Sequence, residues 1–166
     1  MSKLAGLCVI LAASSLFFLP QPARAGDPPK SLVTIDSVIN DSALLRDKVV
    51  YVDFWASWCT PCRLSFPFMN HLLSKYGGKG LTILAVNLDR KSADAEQFLD
   101  DMKSNLQVIF DSTGSLAKIY SLDAVPSSFI YGRDGLLRTK HEGFYQKDTL
   151  SLDSLVNSLL AETGHK

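Results

Sequence analysis

Cysteine is scarce in this chain. Three are present in 166 residues, at positions 8, 59 and 62. That count excludes a disulfide-stapled miniprotein, and a chain of this length buries a core without staples. Only one C-x-x-C is present, so a zinc site built from two such pairs is excluded. Histidine is equally sparse. His71 lies nine residues beyond Cys62, and His141 and His165 lie far downstream, so each reads as an ordinary surface residue rather than a ligand. Neither charge is in excess, with 17 basic and 17 acidic side chains. No basic surface for nucleic acid or for an anionic membrane follows from this. Internal repeats and low-complexity tracts are absent. What remains is 46% apolar and 20% charged, the mix of a globular domain.

One long hydrophobic run stands out, Leu4 to Leu19, with Lys3 before it and Pro20 after it. Ala23-Arg24-Ala25 follows as an A-x-A cleavage signal, so residues 1–25 read as a secretory signal peptide. The run contains Ser14 and Ser15 and is shorter than the roughly 20 residues a membrane span prefers. An uncleaved membrane tether is the competing reading. Cleavage would leave a flexible lead-in over 26–31 and one domain over 32–166. It removes Lys3 and Arg24 and no acid, which leaves 15 basic against 17 acidic side chains. It also removes Cys8. Cys59 and Cys62 are then the only thiols in an oxidising compartment, expected to be the periplasm. They can pair with each other, with a partner protein or with a metal.

Along the chain, Leu32–Ile35 reads as a short strand and 37–46 as a turn with a short helix. "KVVYVDFWA" is a near-continuous apolar run, as in a strand buried on both faces. After Trp58 the period becomes helical. Leu64, Phe68, Leu72 and Leu73 define the expected inner face, Pro67 a kink, and "KYGGKG" the stop. "LTILAVNL" is a second buried strand, "SADAEQFLDDMKSN" a surface helix, "QVIFD" a third strand and "GSLAKIYSL" a short helix. "SSFIYGRDGLLRTKH" reads as a hairpin. The closing helix has Leu152, Leu155, Val156, Leu159 and Leu160 on one face, with Asp148 as its N-cap. The order predicts an α/β fold: a central mixed sheet, parallel first and antiparallel at the hairpin, with helices on both faces.

Three chemistries compete for Cys59-Thr60-Pro61-Cys62. As a structural staple the pair is poor, because so short a loop removes little unfolded-state entropy. As a copper or zinc site it lacks ligands. As a redox dithiol it gains from its position between a buried strand and a helix. There Cys59 would meet unpaired N–H groups and the positive end of the helix dipole, which favour its thiolate. Cys62, further into the helix, would be more buried and keep its proton. Cys59 then attacks and Cys62 resolves the mixed disulfide. Pro61 suits the first helical turn.

Asp53 lies inside the apolar strand, on the same face as Tyr51 and Trp55. Burial on that aromatic face should raise its pKa. Beside a resolving thiol such a carboxyl suits a general acid/base. The plainer alternative is an aspartate satisfied by backbone donors at a strand end.

"VDFWASWCTPC", the helix proline Pro67 and "AVPSSFIYGRDG" together resemble the thioredoxin superfamily. The export signal and the helical insertion between "LAVNLD" and "VIFD" resemble its TlpA/ResA/DsbE type of periplasmic thiol-disulfide oxidoreductases. The resemblance spans roughly 32–160. It implies a thioredoxin-like fold, a Cys59–Cys62 redox disulfide, and a cis-proline at Pro126 that pairs main chain with substrate. Val125 before it, and Trp58, would be further substrate contacts, and Gly143 before the closing helix also fits. It implies an enzyme without cofactor or metal, a monomer that reduces disulfides in periplasmic proteins and is recharged by a membrane-bound electron donor. A disulfide-forming oxidant and a copper- or zinc-handling module are the alternatives. Two positions depart from the type. Ser65 stands where a glutamate is common, and Asp53 where asparagine is common. These departures argue against a narrow assignment to cytochrome c maturation.

Overall fold

Val49–Trp55 forms strand β1, and every residue in it is buried. Its β-branched and aromatic side chains suit a pleated strand covered on both faces. This is the centre of the computed structural model, which describes residues 45–162. The segments expected at 1–25, 26–31 and 32–35, most of 37–46, and His165 lie outside the described residues.

Helix α1 follows at Cys62–Tyr76, then β2 at Leu81–Asn87, α2 at Ser92–Asp101, β3 at Gln107–Phe110 and α3 at Ser115–Ile119. β4 (Ser127–Tyr131) and β5 (Leu137–Glu142) form the hairpin, and α4 (Thr149–Ala161) closes the described chain. The sheet order is β3-β2-β1-β4-β5. β1, β2 and β3 run parallel, while β4 is antiparallel to both β1 and β5. The mixed α/β sheet read from the sequence is the one observed. Among the described residues no helix is long and apolar enough to cross a membrane.

Alternation along β1 separates two cores. Tyr51 and Trp55 pack with the cysteines, with Phe66 and Met69 of α1, with Phe98 of α2, and with Leu152 and Val156 of α4. Val50, Val52 and Phe54 pack on the other face with Leu116 and Tyr120. A three-ring cluster locks α1 and α2 to β1. Trp55 lies 4.8 Å from both Phe66 and Phe98, and those two lie 4.9 Å apart. Each such pair adds about 1 kcal/mol beyond its buried area.

That cluster corrects the expected face of α1. The buried stripe is Cys62, Ser65, Phe66, Met69, Leu72 and Tyr76, whereas Leu64 is 60% exposed. Apolar residues occur on more than one side of this helix, so spacing alone did not select the inner stripe. The Phe66 ring against Trp55 does. Asp148 is corrected in part. It occupies the N-cap position of α4 but makes no capping hydrogen bond, and its carboxylate lies 3.3 Å from His141 Nε2 instead. His141 is therefore a half-buried partner of Asp148 rather than an ordinary surface residue.

Candidate active site

β1 ends at Trp55, and seven residues later α1 begins at Cys62. The turn between them carries the reactive pair. Cys59 and Cys62 form a disulfide with Cα atoms 5.3 Å apart. The Cys59 amide donates to the Ala56 carbonyl at 3.1 Å. The Cys62 amide, first in the helix, donates to Cys59 Sγ at 3.2 Å. An unpaired helix-start N–H thus points at this sulfur, and the same contact with the dipole behind it would stabilise a Cys59 thiolate. Cys62 is fully buried and Cys59 is 4% exposed. Trp58, just before Cys59, is 69% exposed and presents an apolar ring beside the pair.

Asp53 is completely buried on the cysteine side of β1. Its strand partners are Ala85 on one side and Ser128 on the other. Ser128 Oγ donates to Asp53 Oδ1 at 2.6 Å, and Tyr51 Oη donates to Ser128 Oγ at 2.9 Å. Asp53 Oδ2 has no hydrogen-bond partner among the described residues. Burial pushes the carboxyl up from 3.8 to about 7, and the Ser128 hydrogen bond pulls partly against that rise. The carboxyl is therefore poised to gain or lose a proton near neutrality. Backbone donors at a strand end, the plainer expectation, are not what holds it.

The Val125–Pro126 peptide is cis. Ser127 pairs with Phe54, so Pro126 lies beside the end of β1 from which the Cys59 turn springs. Val125 packs against the core that holds both cysteines. The carbonyl of Pro126 accepts from the Gly143 amide at 2.8 Å, and proline has no N–H to offer. The open main-chain groups here are those of Val125, which has no backbone partner among the described residues. Ser65, at the position noted for its missing acid, is buried and donates to the Cys62 carbonyl at 3.1 Å.

Two groups of residues escaped the sequence reading. One is Ser57, Asn87 and Asp89. Asp89 Oδ2 accepts from the Ser57 amide at 2.9 Å and from Asn87 Nδ2 at 2.8 Å, and Oδ1 accepts from Ser57 Oγ at 3.0 Å. With Leu88 N–H bonded to the Trp55 carbonyl, this ties the turn before Cys59 to the end of β2. The signal was an Asn-x-Asp at the carboxyl end of a parallel strand, where α/β sites gather. The other is Ser128, a hydroxyl in an apolar strand opposite the one acid of β1. Among the described residues, no group of three or more His, Cys, Asp or Glu side chains comes together to hold a metal.

The strand–turn–helix with its C-x-x-C disulfide, the buried acid and the facing cis-proline define a thioredoxin-like protein. Residues 31–140 match the model of the AhpC/TSA family. The chain is 30% identical over 133 residues to the thiol-disulfide oxidoreductase ResA of Oceanobacillus iheyensis, covering 76% of this chain and 69% of that one. It is 31% identical over 105 residues to ResA of Bacillus thuringiensis, covering 63% of this chain and 61% of that protein's length. A Chlorobium tepidum structure, provisionally assigned as the thiol:disulfide interchange protein DsbE, superimposes with a TM-score of 0.69 at 41% identity, over 72% of this chain and 84% of that one. The chain belongs to the AhpC/TSA family of the thioredoxin superfamily, and within it to the ResA/DsbE type.

Proposed function

We propose that this protein is an exported thiol-disulfide oxidoreductase that reduces disulfides in periplasmic proteins. The observation that carries the reading is a carboxyl able to titrate near pH 7, buried on the same sheet face as a Cys59–Cys62 disulfide. In the reduced protein, the Cys59 thiolate attacks a substrate disulfide. A Cys59–substrate disulfide forms, and one substrate sulfur leaves as a thiolate that takes a proton from solvent. The Cys62 thiol then passes its proton to ionised Asp53 and attacks Cys59 Sγ. The Cys59–Cys62 bond closes, the second substrate sulfur leaves and is protonated, and two electrons have moved to the substrate. Trp58 and the main chain of Val125 would hold the substrate segment beside Cys59. A membrane-bound dithiol donor would return the electrons. The protein acts as a monomer without cofactor.

The test is a redox equilibrium against glutathione or a dithiol buffer. A reductase should settle near the reducing end of the family range, about −270 mV, and a value near about −120 mV would reassign it as an oxidant. Cys62→Ser should accumulate substrates linked through Cys59, and failure to trap any exported protein would count against the proposed partners. Terminal sequencing of the exported chain should begin at Gly26. An intact N-terminus in membrane fractions would establish the tether instead.

A further inference from the structure

We propose that Ser128 and Tyr51 are a positioning pair that sets the direction of the hydrogen-bond chain into Asp53 and so confines the transferable proton to Oδ2. The inference rests on the reading of Asp53 as the acid/base of the resolving step.

The three side chains form one buried line. Tyr51 Oη lies 2.9 Å from Ser128 Oγ, which lies 2.6 Å from Asp53 Oδ1. Exposure is 1% at Tyr51, 3% at Ser128 and zero at Asp53. A hydroxyl has one proton to give, whereas an ionised carboxylate only accepts. When Asp53 is ionised, Ser128 therefore donates to Oδ1, and Tyr51 donates to Ser128.

When Asp53 takes a proton, two arrangements compete. With the proton on Oδ2, the line keeps its direction and every bond in it survives. With the proton on Oδ1, the line must reverse: Oδ1 donates to Ser128, Ser128 donates to Tyr51, and the Tyr51 proton turns away from its one acceptor. A buried hydroxyl proton without an acceptor is costly. The line therefore keeps its direction, and the proton resides on Oδ2, the oxygen with no partner among the described residues. Ser128 blocks one oxygen and leaves the other for Cys62.

Among the described residues, no other titratable group is hydrogen-bonded into this line. The core on this face holds Tyr51, Cys59, Cys62 and, at the far end of α1, Tyr76. His141, opposite Ser128 on β5, is half-buried, and its Nε2 lies 3.3 Å from the Asp148 carboxylate. Ala85 flanks Asp53 from β2 and carries no polar side chain. Asp89 lies past the end of β2 and is held by Ser57 and Asn87.

The test follows the reaction of the reduced full chain with oxidised glutathione across the neutral pH range. It reads the closing of the Cys59–glutathione disulfide by Cys62, and the infrared carbonyl stretch of protonated Asp53. In Ser128→Ala the carboxylate loses a donor, so the midpoint of the closing step should rise by about one pH unit and its rate at pH 7 fall about fivefold. The carbonyl stretch should move to higher wavenumber. Tyr51→Phe should shift both in the same direction by less, and Ser128→Thr, which keeps the hydroxyl, should restore the wild-type profile. Unmoved midpoint and stretch in both Ser128→Ala and Tyr51→Phe would overturn the inference. Asp53→Asn separates the two ideas. If that variant loses the pH-dependent limb while Ser128→Ala and Tyr51→Phe keep it at the wild-type midpoint, only the positioning pair fails. If Asp53→Asn keeps the wild-type limb, the acid/base reading falls and the pair with it.

Discussion

The Gly143 amide donates to the Pro126 carbonyl across 2.8 Å, tying the residue after β5 to the peptide before β4. Gly143 reaches this geometry with φ at +74°, in the left-handed region where a Cβ is strained. Gly143→Ala should therefore cost about 1 kcal/mol in chemical denaturation. It should also loosen the Pro126 loop, raising KM for a protein disulfide more than for oxidised glutathione. An equal change for both substrates would separate this contact from main-chain recognition.

Asp89 accepts three hydrogen bonds, two from Ser57 in the turn before Cys59 and one from Asn87 at the end of β2. Asp89→Ala leaves the buried Asn87 amide and the part-buried Ser57 N–H without an acceptor, a loss of about 2–3 kcal/mol. Asp89→Asn keeps one carbonyl oxygen and should recover part of it. Urea denaturation of the oxidised protein measures both, and an alanine variant as stable as wild type would show that the turn is held elsewhere.

Asp53 gives stability a definite pH dependence. Its carboxyl sits at about 7 when folded, against an ordinary value of 3.8. Between those values the folded protein keeps a proton that the unfolded chain releases. The stability contributed by this group is thus full below about 3.8 and is lost as pH rises to about 7, by an amount on the order of 4 kcal/mol. Asp53→Asn cannot ionise and escapes that loss. It should be the more stable protein at and above neutral pH, with its advantage shrinking toward pH 4. Parallel stability curves for the two proteins across this window would contradict the raised pKa.

Much of this architecture was legible because its signals are periodic or local. The run from Val49 to Trp55 read as a covered strand, and the C-x-x-C at its end marked the approach to the helix, which begins at Cys62 itself rather than at Cys59 with Cys62 further in. Asp53 was conspicuous because a lone acid in an apolar strand violates the pattern. The partners of these residues were harder to read, since they come from other strands. Ser128 meets Asp53 across 75 positions of sequence, and Asp89 meets Ser57 across 32. Strand register makes both meetings, and neither side chain stands out in its own segment. The inner face of α1 escaped for a related reason: its apolar residues occupy more than one stripe, and Trp55 on another element chose between them.

The Asp89 carboxylate also has an entropic meaning. Because it joins the Ser57 backbone and side chain to the end of β2, the turn leading to Cys59 is immobilised when the chain folds. In the proposed reaction, a turn already fixed by these bonds would lose little further backbone freedom on docking, and most of the configurational freedom lost in forming the mixed disulfide would be the substrate's. A substrate disulfide held in a stiff segment would have to distort to reach Cys59, whereas one in a pliant segment would not. Selectivity among substrates can thus arise from their own local stiffness, against a sulfur that stays still.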